Sequence, residues 1–215
     1  MEIRNIILAR SVQAIKTAGG TVGYLPDIVK EIKAKYGFLS APKEEDLVPS
    51  DSPKGAEFKH GKLIVDERTI VIDRFAIFND GLVVDTASST DDTDLFLDDL
   101  AQWAKTAIPK VSSSGPRYYV SQIEVKMKPL EAYVPSFRPA GEKVTALLST
   151  YGINVPRYEV SSVHLFFDQL GRIPPQPGQF FFERRANIPY DDNVWFSQAP
   201  VKTTDHVALL KGFEK

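Results

Sequence analysis

Cysteine is absent from this chain of 215 residues. Its absence excludes disulfides, thiolate zinc sites, iron–sulfur clusters and a cysteine nucleophile. No apolar run approaches the roughly 20 residues that a membrane-spanning helix needs, and the first residues lack the pattern of a secretory signal. We therefore expect a soluble, cytoplasmic protein that does not insert into a membrane.

An excess of charge of either sign is also missing. The 26 Lys and Arg residues are matched by 28 Asp and Glu residues, which gives a formal net charge of −2. This balance argues against a domain that coats nucleic acid, so nucleic acid is not an expected partner. A local basic face remains open as an alternative and would comprise Arg117, Lys126, Lys128, Arg138 and Lys143.

Motifs for cofactors and catalysis are missing too. The glycine-rich stretch Gly19–Gly23 has neither the Gly-Lys-Ser/Thr ending of a phosphate loop nor the spacing of a dinucleotide-binding fold. The three histidines form no HExxH pair, and no serine lies in a GxSxG elbow. His206 follows Asp205 at the start of a predicted helix and is at most a candidate base, so the sequence assigns no cofactor and no catalytic residue.

The strongest local pattern is a β-hairpin. Thr69–Phe78 and Leu82–Ala87 are apolar segments on either side of Asp80-Gly81, a dipeptide favoured in two-residue hairpin turns. With that turn, Ala76 lies opposite Asp85, Phe78 opposite Val83 and Asn79 opposite Leu82. Both faces then carry apolar residues, which predicts a sheet covered on both sides, and Arg74 becomes a diagonal neighbour of Asp85.

The remaining segments alternate between strand and helix patterns and predict a single α+β domain. We expect one mixed or antiparallel sheet with a central hairpin at about residues 69–87 and two to four helices packed on it. Residues 1–60 are expected to form an N-terminal segment that packs on a main domain of residues 61–215. The other predicted strands are a segment up to about Val12, Tyr119–Met127, Val160–Phe167 and Gln179–Arg185. The predicted helices are Pro26–Tyr36, one that starts at Ser88–Asp94, Ala140–Tyr151 and Thr204–Phe213. The segment Ala41–Gly61 is predicted to be a polar loop on the surface.

The acidic stretch Asp85–Asp94 allows two interpretations. Carboxylates in the first turn of a helix satisfy its free N–H groups and its dipole, which is the favoured interpretation. In the alternative, Asp85, Asp91 and Asp92 converge on Mg²⁺ or Mn²⁺, as a metal-dependent phosphoryl-transfer or hydrolytic enzyme requires.

Two stretches near the C-terminus contain candidate binding residues. In a strand, Arg184 shares the apolar face of Phe180 and Phe182, so it must pair with a carboxylate or hold an anion. A structural ion pair, a protein interface and ligand binding stay open as its role, and Arg185 is the alternative phosphate clamp. Trp195 and Tyr190 flank a polar turn and are either interface anchors or, for Trp195, part of the core.

The sequence favours an interaction protein over an enzyme. It contains no sequence motif for a nucleophile–base pair, a metal-ligand cluster or a cofactor loop. Aromatic residues, in contrast, are abundant, with 13 Phe, 8 Tyr and 2 Trp. We expect a non-catalytic interaction or assembly protein that binds itself or another protein. The metal-dependent enzyme is kept as the alternative, and whether the protein is an enzyme stays open at this point.

Overall fold

A computed structural model describes residues 1–17, 26–43, 56–78, 80–107, 111–112, 115–155, 158–166 and 177–214. Eight antiparallel strands form one sheet in the order β3-β4-β5-β1-β7-β10-β9-β8, and β2 pairs with β6 in a separate ladder. The strands are β1 (Glu2–Ala14), β2 (Lys16–Thr17), β3 (Ala56–Val65), β4 (Arg68–Ile77), β5 (Gly81–Thr86), β6 (Val111–Ser112), β7 (Arg117–Lys126), β8 (Ser162–Leu165), β9 (Phe180–Arg184) and β10 (Val194–Ala199).

Four α-helices accompany the sheet, which confirms the α+β fold class. They are α1 (Pro26–Tyr36), α2 (Thr90–Ala107), α3 (Arg138–Thr150) and α4 (Thr203–Gly212). Proline at the first position of α1 and Gly37 in the left-handed region just beyond it explain where that helix begins and ends. No helix among the described residues is both long and apolar enough to cross a membrane.

The N-terminal segment supplies a central strand. β1 lies between β5 and β7 and pairs with both, so this strand of the N-terminal segment belongs to the same sheet as β5 and β7. The predicted polar loop Ala41–Gly61 is wrong at its end, because β3 already begins at Ala56. Within that segment, residues 44–55 lie outside the described residues.

The predicted hairpin is present as β4 and β5, but its register differs from the prediction by two residues. Ala76 lies opposite Val83 rather than Asp85, and the Phe78 amide donates to the Gly81 carbonyl oxygen. Gly81 therefore belongs to the strand and not to the turn. Arg74 consequently lies directly opposite Asp85 instead of diagonally, and the predicted pair of Asn79 with Leu82 falls on a residue outside the described part.

The buried side of the β3–β4 pair changes parity along the strands. Ile70 and Ile72 are buried at even positions and Phe75 at an odd one, yet all three belong to one core cluster. The change lies between the pairs Lys59–Arg74 and Gly61–Ile72, where His60 adopts a positive φ of 55°. A left-handed residue rotates the strand locally, so simple alternation does not predict the core face here.

All three helices that pack on the sheet lie on one face of it. The side chains of α1 and α2 join β3, β4 and β5 in one core cluster, and α4 packs with β7, β9 and β10 in a second. Ser11, on the same face, hydrogen-bonds Thr93 of α2 at 2.5 Å, which places both clusters on the same side. The opposite face carries partly exposed apolar and charged side chains, so the predicted cover on both sides is absent among the described helices.

A row of small residues lets the helix starts approach the sheet. Thr86, Ala9, Ser121 and Ala199 lie opposite one another on β5, β1, β7 and β10, and each is almost completely buried. Because larger side chains would hold the helices further away, this row brings the first turns of α2 and α4 together above the sheet.

Candidate interaction surface

The structure holds Asp85 in an ion pair. On the face of the sheet away from the helices, Arg10 donates to its two carboxylate oxygens at 2.7 and 2.8 Å, and Arg74 lies 3.6 Å from it. Asp85 is buried, and its hydrogen bond with Arg10 is the largest influence that raises the pKa of Arg10. Its carboxylate is therefore occupied by guanidinium groups.

The other two predicted metal ligands lie elsewhere. Asp92 pairs with Arg68 at 2.6 Å, and its amide donates to the Ser89 hydroxyl, so a serine rather than a carboxylate accepts this N–H of α2. Asp91 is exposed and lies 3.7 Å from Lys202. The three carboxylates are thus engaged by three sets of cations, and the described residues contain no group of three or more potential ligands that could hold a metal.

Asp94 is a polar hub that sequence reasoning did not single out. Its carboxylate accepts hydrogen bonds from Lys202 at 2.7 Å, from Arg117 at 3.0 Å and from the Tyr119 hydroxyl. The hydrogen bond to Asp94 raises the pKa of Lys202. This cluster joins α2, β7 and the start of α4, and the wide separation of its members in the chain hides it from any local pattern.

Arg184 lies on the helix-covered face of the sheet, as its alternation with Phe180 and Phe182 predicts. Its guanidinium donates to Glu159 at 2.9 Å and to the Tyr190 carbonyl oxygen, and it stacks on the rings of Trp195 and Tyr190 at 4.3 and 4.5 Å. These contacts fit the structural ion pair, one of the three alternatives predicted for this residue, and leave only Nε without a partner among the described residues.

The other predicted binding residues divide between core and surface. Trp195 is 0% exposed and stacks on Phe182 at 4.8 Å, so the core interpretation describes its position. Arg185 points to the opposite face, where its Nε lies 3.1 Å from Glu124. Tyr190 is partly exposed above Arg184. The structure therefore brings Arg184, Tyr190 and Trp195 together and places Arg185 apart from them.

A serine–histidine pair exists but is sealed inside the protein. Ser197 Oγ and His206 Nε2 are 2.8 Å apart, the spacing of a nucleophile and its base. Both residues are 0% exposed, and the serine hydroxyl donates to the Phe181 carbonyl oxygen at 3.1 Å. Burial lowers the pKa of His206 to about 4, so the imidazole is neutral at pH 7. The pair fixes α4 on β10 and is inaccessible to a substrate.

Exposed apolar side chains concentrate around α3 and β8. We call the following set the α3–β8 surface: Phe137, Val144, Leu147, Tyr151, Ile153, Tyr158, Leu165 and Phe166. Val144, Leu147 and Tyr151 follow one another at spacings of three and four, which places them on one stripe of the helix. α3 contains no buried residue, whereas an amphipathic helix of a monomer normally buries its apolar stripe.

α3 is held beside the edge of the sheet by the chain that leads into β8. Thr145 accepts a hydrogen bond from the Tyr158 amide at 3.1 Å, and a Cβ at Gly141 would clash with the Tyr158 carbonyl oxygen. Between the helix and residues 158–162 lies an open cleft of about 610 Å³. The sequence predicted both elements, but their patterns did not reveal that the described residues leave this apolar stripe exposed.

Comparison with known proteins gives no family for this chain: no family model and no curated protein matches it. Its function must therefore be argued from its own residues.

Proposed function

We propose that this protein is a non-catalytic interaction or assembly protein that self-associates through the α3–β8 surface. The observation that carries the proposal is the exposed apolar stripe of α3, and Leu165 and Phe166 at the end of β8 are exposed as well. Exposed apolar patches of this kind mark sites of protein–protein contact.

The size of the surface supports this role. Phe137, Tyr151, Tyr158 and Phe166 are 49% to 69% exposed. With about 200 Å² for a fully exposed aromatic side chain, these four residues alone offer roughly 500 Å². A standard interface buries about 800 Å² on each partner, so the aliphatic residues of the surface and the nearby backbone would supply the remainder.

The chemistry of the polar groups also favours an interaction protein over the alternative enzyme. The serine–histidine pair is fully buried, and the carboxylates of Asp85 and Asp92 are engaged by arginines. A metal-dependent hydrolase needs carboxylates that converge and remain available to the metal.

The cytoplasmic location and the expectation that nucleic acid is not a partner stay predictions.

Light scattering behind size exclusion, over a range of protein concentrations, tests the proposal. We expect a discrete oligomer in the wild type and a shift to monomer in Leu147→Glu, because the new charge would be buried in the interface. Leu209→Glu on α4 is the matched control, since Leu209 is 45% exposed and Leu147 is 46% exposed. A wild type that remains a monodisperse monomer at high concentration would overturn the proposal.

A further inference from the structure

The two edges of the eight-stranded sheet differ in how they are protected. Along β3, the Lys59 amide donates to the Ser40 carbonyl oxygen at 3.0 Å, and the Leu39 amide donates to the Lys59 carbonyl oxygen at 3.1 Å. β3 also carries the exposed Lys62 and the positive φ of His60. Covering backbone, lysines and local twist are the means by which proteins prevent edge-to-edge pairing.

β8 has none of these protections among the described residues. Its sequence, Ser-Val-His-Leu, contains no lysine, arginine or proline, and Ser162, His164 and Leu165 are exposed. The Arg184 amide donates to the Ser161 carbonyl oxygen at 2.8 Å, which fixes the alternation of the β8–β9 ladder. In an antiparallel ladder, the N–H and C=O groups of Ser162 and His164 then point away from β9 towards the open edge.

We propose that two copies of this chain pair through β8, antiparallel, about a two-fold axis at Val163. Ser162 of one copy then lies opposite His164 of the other, so each outward N–H meets a C=O, and the two sheets become one of sixteen strands. This inference rests on the proposed function and names its partner and its contact.

A second copy is the occupant that fits this edge, for two reasons. The outward groups of Ser162 and His164 are symmetric about Val163, as an isologous contact requires. The neighbouring helix also offers little charge that would select an acidic or basic partner: it carries Arg138, Glu142 and Lys143, a net charge of only +1, and Arg138 pairs with Glu142 at 3.0 Å. Because α3 is attached to residues that lead directly into β8, pairing of the strands brings the α3 helices of both copies close to the interface.

Proline at position 164 tests the backbone contact. His164→Pro removes the outward N–H and leaves the β8–β9 ladder, which does not use that group, intact. His164→Ala removes the same imidazole and keeps the N–H, so it is the matched control. We expect His164→Pro to raise the dimer dissociation constant by about tenfold or more, and His164→Ala to leave it nearly unchanged. Circular dichroism of both full-length variants checks that they are folded.

Cross-linking gives an independent reading if His164→Pro does not fold. Because the chain contains no cysteine, a single His164→Cys substitution provides the only thiol. Positions 164 of the two copies would be diagonal neighbours, within reach of a short bismaleimide. We expect cross-linked dimer from His164→Cys and none from Lys62→Cys, which places the thiol on the opposite edge of the same sheet.

The outcomes separate the two proposals. A wild type that is always monomeric overturns both. An oligomer that dissociates in Leu147→Glu but persists in His164→Pro, or that gives no cross-link at position 164, overturns strand pairing and leaves self-association standing. Equal loss of dimer in His164→Ala and His164→Pro would assign the contact to the imidazole and would also overturn strand pairing.

Discussion

Thr90 and Thr203 each accept a hydrogen bond from the backbone amide of the other at the start of a helix, although 113 positions separate them in the chain. The Thr203 hydroxyl accepts the Thr90 amide at 3.1 Å, and the Thr90 hydroxyl accepts the Thr203 amide at 2.8 Å. Both residues are buried, and both open a helix, where backbone N–H groups have no partner within the helix. Each helix thus supplies the acceptor that the other one lacks, and α2 and α4 are locked together at their first turns.

Replacing either threonine by valine removes one acceptor at nearly constant shape. We expect Thr90→Val and Thr203→Val each to lower the free energy of unfolding by about 1 to 3 kcal/mol, because a buried amide is left without a partner. The double variant should lose less than the sum, since the first change already loosens the contact. Urea unfolding of the four proteins measures this coupling. Thr106→Val, at the exposed end of α2, should change stability by less than about 0.5 kcal/mol, and an equal loss there would contradict the argument.

Stability should depend on pH through His206. Burial lowers its pKa to about 4 in the folded protein, whereas the unfolded chain has an ordinary value near 6.5. The unfolded state therefore binds the proton first as the pH falls. The contribution of the neutral His206 to the free energy of unfolding is fully present above about pH 6.5 and is lost as the pH falls towards 4. The total change is about 3 kcal/mol.

The variant His206→Gln has no group that titrates in this range. Urea unfolding at several pH values should show a loss of stability on acidification that is about 3 kcal/mol smaller than in the wild type, because the carboxylates contribute equally to both. His164→Gln, at an exposed site, is the control for the exchange of a histidine for a glutamine. Parallel pH curves for the wild type and His206→Gln would show that the buried imidazole is not responsible.

Arg184 and Arg185 are adjacent in sequence but should respond differently to lysine. Arg184→Lys loses the stack on Trp195, and one ammonium cannot reach both Glu159 and the Tyr190 carbonyl oxygen with the geometry of a guanidinium. We expect Arg184→Lys to lower the free energy of unfolding by about 1 to 3 kcal/mol and to change the tryptophan fluorescence. Arg185→Lys keeps an exposed pair with Glu124 and should cost at most about 1 kcal/mol. Similar losses in both variants would contradict the burial argument.

The melting temperature should not respond to added Mg²⁺ or Mn²⁺. Asp85 is held by Arg10 and Arg74, and Asp92 by Arg68, so a cation would have to displace guanidinium groups before it could bind. Calorimetry with and without each metal checks this. Saturable stabilisation that disappears in Asp85→Asn, but persists in the exposed Asp91→Asn, would restore the metal-dependent enzyme as the better hypothesis.

Local patterns in the sequence were sufficient for most of the elements. Apolar spacing and flanking proline or glycine predicted α1 and α3, and alternation predicted β7, whose Ser121, Ile123 and Val125 are buried. The hairpin was predicted, but a two-residue shift in register escaped notice because a shift by an even number leaves the same side chains on the same face.

The sites depended on contacts that the sequence does not encode locally. The sequence could state that Arg184 needs a partner, but not that Glu159, Tyr190 and Trp195 would supply the contacts. It could state that aspartates lie in the first turn of α2, but not that Asp94 would meet Lys202. Partners of this kind come from segments distant in the chain, and only the packing of the elements brings them within hydrogen-bond range.

By itself, therefore, the sequence determined the types and approximate limits of most elements, although not of β3 and β10, and the absence of thiol chemistry, because these depend on residue type and on spacing over a few positions. The tertiary structure decided which face of the sheet the described helices cover, which strands form its edges and which threonine meets which. These relations depend on the order of strands in the sheet, and that order is set by the combined packing of the whole chain.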